Sequence, residues 1–325
     1  MHLRVASFNL ESLDDRPGLD PPLDARIRVL RPQLLRLRAD VLCLQEVHAQ
    51  KRGGGPRRLA ALDRLLEGTP YARFARAAAG SGKEGELADV HNLIILSRLP
   101  ITTARGLRHD FVPPLVWRYL TARPSRGRSE QLHFERPLLY AVLELPRGQR
   151  LHVLTLHLRA PLAAPVPGRK KAPFVWDGTD GWAEGFLLAA LKRSAQALEA
   201  RLLVDRILDE DPQALVIVAG DLNAELSEVP TRILLAEPGD TGNGALAWRA
   251  LVPLERGLAA DRRYSVVHHG RRVMFDHMLV SRNLLAALCS FEVHSETLED
   301  EVESELAVTS ATESHHAPLV ATFAL

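Results

Sequence analysis

Residues 214–226 read ALVIVAGDLNAEL. The first half is apolar and partly β-branched, as a buried strand requires. The second half turns at once to Gly220, Asp221 and Asn223. In extended backbone, residues two apart share a face, so Asp221 and Asn223 can point to one place. A carboxylate at the end of a buried strand is costly unless it is paired or bound to a metal. The reading of this stretch therefore turns on whether other strands end in the same way.

Five others do. RVASFNL (4–10) delivers Asn9, DVLCLQEV (40–47) delivers Glu46, and LHVLTLHL (151–158) delivers His157. VMFDHMLV (273–280) holds Asp276 inside a strand, and ESHHAPLV (313–320) sets His315 and His316 before one. A single such residue is most often a satisfied structural group. Six strands with polar ends and apolar middles are better explained by one shared site. Two carboxylates with amide and imidazole neighbours, and no thiolate, suit Mg²⁺ or Mn²⁺ more than zinc. A hard divalent ion beside imidazoles points to phosphoryl chemistry.

The rest of the chain agrees with a layered α/β protein. Strands are expected at 3–9, 41–45, 93–97, 138–145, 151–157, 214–219, 273–281 and 317–323. Helices are expected at 24–39, with Pro32 as an irritant, at 57–68 ending on Gly68, and at 181–211 stopped by Pro212. Strands precede, separate and follow these helices without a regular βαβ rhythm, which favours two packed sheets flanked by helices. There is no repeat and no linker, so one domain over 1–325 is expected. Long loops are expected at about 104–136 and 159–180, and a short basic one at 50–58. The net charge of +1 gives no support to duplex binding. Cys43 and Cys289 make neither a disulfide framework nor a zinc spacing. The start MHLRVASFNL lacks a signal-peptide core, and no apolar run reaches membrane-spanning length. A cytoplasmic protein without stable membrane association is the expectation.

The motifs SFNL, LQEV, NLIILSRLPI, TLHL, GDLNAE, FDHMLVS and SHHAPLVATF follow one another as in the endonuclease/exonuclease/phosphatase superfamily, which this chain resembles. That group includes exonuclease III, pancreatic deoxyribonuclease, sphingomyelinases and inositol polyphosphate 5-phosphatases. The resemblance implies a four-layer α/β/β/α sandwich of two mainly antiparallel sheets flanked by helices, with the site at one end. It implies that Glu46 is the principal metal carboxylate and Asn9 an amide that helps to hold the metal site. Asp221 would orient or deprotonate the attacking water, and Asn223 would donate to a phosphate oxygen. His157 would bond the phosphate or act as an acid, and Asp276 would fix the tautomer of His316. The family's closing Ser-Asp-His reads Ser314-His315-His316 here, so His315 stands where an aspartate normally helps to hold the metal. Glu313 is a possible source of the missing charge. Asn92 and Ser97 are expected in the scaffold, and no role is assigned to His91.

The activity so implied is divalent-metal-dependent phosphoester hydrolysis, by a phosphodiesterase or nuclease. The alternatives are a lipid-phosphodiester or phosphoinositide hydrolase, and a degenerate member that binds phosphate without turnover. Arg136 is a candidate phosphate contact. In the 159–180 loop, Arg169, Lys170 and Lys171 are candidates for phosphates, while Phe174 and Trp176 are candidates for stacking on a base. The same loop also reads as a lid held shut by its own aromatics. The acidic segment 291–305 argues against a long nucleic acid if it lies near the site.

Overall fold

Alternation in VLCLQEV sends Val41 and Cys43 to one side of their strand and Leu42 and Leu44 to the other. Both sides are apolar, so the strand must be covered twice. The computed structural model shows how, and describes residues 1–51, 55–81, 86–304, 307–308 and 312–325. Residues 52–54 of the basic loop and residue 305 of the acidic segment lie outside them.

One sheet holds β1 (His2–Leu13), β2 (Val41–Val47), β3 (Ala75–Ala79) and β4 (Asn92–Ser97). The other holds β5 (Ile101–Leu107), β6 (Leu138–Glu144), β7 (Arg150–His157), β8 (Leu215–Asp221), β9 (Val252–Pro253) and β10 (Asp276–Val280). The chain then returns to the first sheet as β11 (Leu288–Val293) and β12 (Leu319–Ala324). The strand orders are β11-β12-β1-β2-β4-β3 and β9-β10-β8-β7-β6-β5. Each six-stranded sheet is antiparallel except for one central parallel pair, β1 with β2 and β7 with β8.

A parallel pair needs a long crossover. Here the crossovers carry α1 (Leu23–Leu37) and α3 (Thr179–Glu210), while α2 (Ala60–Leu66) follows β2. Leu30, Leu34 and Leu37 of α1 pack on Phe8, Leu42 and Leu44. Ala200, Leu203 and Val204 of α3 pack on Leu154, Leu156, Val216 and Val218. Between the sheets lie Val5, Val41, Cys43 and Ile95 from one side and Ala141, Val153, Ala219 and Met278 from the other. These are the four layers that the sequence implies. Helix α1 continues past Pro32, and Gly68 follows α2 with φ +74°, as a helix terminus favours. No helix among the described residues is long and apolar enough to cross a membrane.

The long loops are more ordered than expected. The first begins only after β5, and it contains a ribbon that pairs Leu115–Trp117 with Glu130–Leu132. Two carboxylates of α3 fasten it. Glu199 accepts from the backbone N–H of Asp110, Phe111 and Val112. Glu184 accepts from Trp117, from the N–H of Leu120 and from the N–H and hydroxyl of Thr121. The second loop folds as Lys170–Ala172 against Val175–Trp176 and enters α3 at Thr179.

Candidate active site

Each parallel pair brings one part of a polar cluster to the same end of the sandwich. In β8, Asp221 is in register with His157 of β7 on one side and with Asp276 of β10 on the other. Gly220 permits this approach. Its φ is +141°, and a Cβ there would lie 2.0 Å from the carbonyl oxygen of Leu156, so only glycine fits. In the other sheet, the pairing of β2 with β4 shifts between Leu44 and Val47, and Glu46 takes φ +58°. Asn223 and His91 are also left-handed, at φ +48° and +57°. Such conformations cost about 1–3 kcal/mol each and gather at functional sites.

Asn9 joins the two sheets. Its Nδ2 donates to Glu46 Oε1 at 3.2 Å and to Asp221 Oδ2 at 3.1 Å, while its Oδ1 accepts from the N–H of Glu11. Ser12 donates to Glu46 Oε2 through its N–H and its hydroxyl. Asn223 donates to Asp221 Oδ1 from its backbone N–H at 2.8 Å and to Oδ2 from Nδ2 at 3.1 Å. Behind it, Arg193 donates to the Asn223 carbonyl.

Imidazoles surround these carboxylates. His91 Nδ1 stands 3.5 Å from Glu46 Oε2, and His157 Nε2 stands 3.6 Å from Glu46 Oε1 and 3.5 Å from Asp221 Oδ2. His316 Nδ1 is 2.8 Å from Asp276 Oδ2. Nη1 of Arg136 is buried without a hydrogen-bond partner, and its charge acts on Glu46 and Asp221. The neighbouring cations Arg159 and Lys192 both turn to Glu135.

The charges sort the histidines. Burial drives the His157 imidazole towards its neutral form, and Arg136 adds to this, so its pKa lies well below the ordinary value. Burial opposes charge on His316 too, but Asp276 outweighs it and holds that imidazole charged well above the ordinary range. Burial and the adjacent Asp276 raise the Asp221 carboxyl. Glu46 is buried as well, yet the nearby His91 imidazole and the charge on His316 hold its carboxyl well below the ordinary range. Two donor sets result among the described residues: Glu46, His91 and His157, and Asp221, Asp276 and His316. A divalent ion fits the first. It has one ionised carboxylate, one neutral imidazole, and a buried Nδ1 of His91 that stands 3.5 Å from Glu46 Oε2 and makes no hydrogen bond among the described residues.

A family model described as Endonuclease/Exonuclease/phosphatase matches residues 6–297. The chain belongs to this family. Solved structures show the same fold at low identity. The TDP2 of D. rerio complexed with single strand DNA product is 17% identical, with 100% of this chain and 99% of that one covered and a TM-score of 0.55. An AP endonuclease from Archaeoglobus fulgidus is 16% identical, with 99% and 100% covered and a TM-score of 0.54. An endonuclease/exonuclease/phosphatase family protein from Bacteroides thetaiotaomicron is 16% identical, with 100% and 99% covered and a TM-score of 0.58. No curated protein matches the chain in sequence.

Among the residues that the family resemblance singled out, Asn9, Glu46, His157, Asp221, Asn223, Asp276 and His316 come together at this end of the sandwich. His315 does not join them in the expected way. Its Nδ1 and backbone N–H both engage the Glu11 carboxylate, and it belongs to neither donor set. Glu313 is also turned away, towards Gln33. Arg26 holds this region by donating to the carbonyls of Leu10, Glu11 and Glu313. Burial and Arg136 lower the His157 pKa, which favours the phosphate-bonding expectation over the acid one.

The 159–180 loop corrects a second expectation. Arg169 is buried, and its guanidinium is bound by Asp177, Asp180 and the Thr121 carbonyl. It is a structural cation and has no free face for a phosphate. Lys170 lies over the rings of Phe174 and Trp176, 5.6 Å from each centroid. The loop thus folds around this cation–aromatic contact, while Phe174 stays 75% exposed. Asn92 is in the scaffold as expected, bonded to Val47, Ala88 and, through its Oδ1, the N–H of Ala88.

No pattern in the sequence marks Glu11, Ser12 or His91, because backbone turns with positive φ aim Ser12 and His91 at Glu46 and Glu11 at His315. His277 carries no such mark either. It faces away from Asp276 and bonds Glu255 and the Ala224 carbonyl, which fixes the turn after Asp221.

Proposed function

We propose that this protein hydrolyses phosphodiesters with a divalent ion at Glu46. The observation that carries the reading is Asp221, held in register between His157 and Asp276 and joined to Glu46 through Asn9. When bound, the ion offsets negative charge on the phosphoryl group. Asp221 accepts the proton of the attacking water. Its raised proton affinity makes it the stronger base, and the bonds from Asn9 and Asn223 fix its direction. The charged His316, steadied by Asp276, donates to a phosphoryl oxygen. Nη1 of Arg136 supplies a second cationic donor to the same group. Asn9 positions both carboxylates, and its amide nitrogen is already committed to them.

A nucleic acid with a free end or a single strand is the preferred substrate in this reading. The acidic segment lies beside the His269–Gly270 turn and towards His315, the neighbour of His316: Asp300 accepts from the N–H of His269 and Gly270, and Glu301 acts on His315 electrostatically. Negative charge there disfavours a long duplex. The D. rerio TDP2 structure, complexed with a single strand DNA product, is consistent with this choice. The packed layer shared by both sheets supports one domain over the chain.

The test is a turnover screen with Mg²⁺ and Mn²⁺ on single-stranded DNA, duplex DNA, RNA and a small aryl phosphodiester. Hydrolysis that disappears in Asp221→Asn supports the reading. No hydrolysis of any substrate, or full activity in Asp221→Asn, would overturn it.

A further inference from the structure

We propose that His91 is a metal ligand, and that the ion beside Glu46 is a transition-metal ion such as Mn²⁺, Co²⁺ or Zn²⁺ rather than Mg²⁺. This rests on the phosphodiesterase reading and deepens it. The argument begins with three separations. His91 Nδ1 is 3.5 Å from Glu46 Oε2, His157 Nε2 is 3.6 Å from Glu46 Oε1, and one ligand atom from each residue lies within 4.8 Å of the others. The first two are long for hydrogen bonds. Each, measured to its own oxygen of Glu46, is close to the roughly 3.4 Å that separates two donors on a tetrahedral ion when each bond is about 2.1 Å.

Burial gives an independent argument. Nδ1 of His91 is buried and has no hydrogen-bond partner among the described residues. A buried polar atom left unmatched costs about 1–3 kcal/mol, yet the chain adopts φ +57° at His91 to put it there. The residue is braced from several directions. Asn92 donates to the Val47 carbonyl at 2.8 Å, tying His91 to the residue after Glu46. The His91 ring meets His48 edge-on at 5.2 Å and His157 at 5.8 Å. His48 in turn lies 3.3 Å from Asp14 Oδ2. A strained residue with a braced ring and an unmatched nitrogen is what a metal ligand requires.

The donor set then selects the ion. Mg²⁺ demands oxygen ligands in near-octahedral geometry and gives up water reluctantly. Two imidazoles and one carboxylate suit Mn²⁺, Fe²⁺, Co²⁺ or Zn²⁺. Of the Mg²⁺ or Mn²⁺ expected from the sequence this keeps Mn²⁺ and sets Mg²⁺ aside, because that expectation assigned His91 no role.

The experiment strips the full-length protein with chelator and titrates it with Co²⁺ and with Mg²⁺. Calorimetry reads affinity, and visible absorption reads the Co²⁺ ligand field. His91→Gly keeps the left-handed backbone and removes the imidazole. His91→Asn, which also tolerates that conformation, provides a second variant, and thermal melts confirm that both fold. Wild type should bind Co²⁺ far more tightly than Mg²⁺. Both variants should lose at least about tenfold in Co²⁺ affinity, change the Co²⁺ spectrum and keep the wild-type Mg²⁺ affinity. Equal affinity for the two ions in wild type, or unchanged Co²⁺ binding in both variants, would refute the proposal. If Mg²⁺ binds as tightly as Co²⁺ and supports turnover, the inference alone fails. If neither ion binds and no phosphodiester is cleaved, the phosphodiesterase reading fails with it.

Discussion

His316 Nδ1 and Asp276 Oδ2 are 2.8 Å apart, while the adjacent His315 turns to Glu11 at the same distance. Two neighbouring imidazoles thus serve separate partners, and only His316 belongs to the polar cluster. His316→Ala should lower turnover by about 10²–10³ at every metal concentration, because it removes a donor that added metal cannot replace. His315→Ala should leave metal dependence nearly unchanged and lower the unfolding temperature. Rate against metal concentration for both variants separates the two roles. A large shift of the metal midpoint in His315→Ala would return that residue to the metal site.

The same pair sets a pH dependence. The folded pKa of His316 lies above its ordinary 6.5, with Asp276 as the stabilising partner. The charged pair's contribution to stability is therefore complete below 6.5 and is lost as pH rises through the folded value. Turnover should fall on the same alkaline limb. Asp276→Asn should move that limb to lower pH. A pH–rate profile checks this, and an unmoved limb would count against His316 as the donor.

Asp221→Asn and Glu46→Gln should each remove most activity without unfolding the protein. In Asp221→Asn the unfolding temperature should stay level or rise, since a buried charge beside Asp276 is removed. Single-turnover rates and thermal melts provide the readout. A fall in stability that explained the loss of rate would weaken the assignment of Asp221 as the base.

Glu184 should act on the first loop and leave the reaction intact. Burial alone would raise its pKa, but the bonds from Thr121, Leu120 and Trp117 outweigh this and lower it from 4.5. Its contribution is thus present above 4.5 and lost as pH falls through the lower folded value. Glu184→Ala should speed amide hydrogen exchange in 115–132 and spare the two sheets. The aryl phosphodiester should still be cleaved. Unchanged exchange in the ribbon would disprove the anchoring role.

Gly220→Ala should destabilise the protein by at least about 2 kcal/mol. The new methyl would meet the Leu156 carbonyl at 2.0 Å from a φ of +141°. Denaturant unfolding measures the effect, and a wild-type midpoint would show that β7 and β8 can separate at no cost.

The central strands and their polar ends were legible because burial on both faces leaves long apolar runs. The edge strands were less so. In β5, Thr102 to Gly106 are all exposed, so no alternating pattern marks them. In β3, alanines carry little signal for either periodicity. Asp221 and Asp276 announced themselves by ending or interrupting apolar runs. Glu184 and Glu199 did not, because polar residues within a long helix normally face water, and here a distant loop covers them. Arg169 misled for a related reason. A basic residue in a loop looks free until its acidic partners, eight and eleven residues later, are folded onto it.

One amide of Asn9 touches a carboxylate from each sheet. The gap between Glu46 and Asp221 is therefore governed by the thickness of the hydrocarbon layer beneath them, filled by small side chains such as Ala141, Ala219 and Ala321. A bulkier side chain at Ala219, two residues from Asp221, would act as a shim and widen that gap without touching a polar atom. The rim can then change freely to suit new substrates, while the calibration of the reaction stays in the carbon skeleton of the interior.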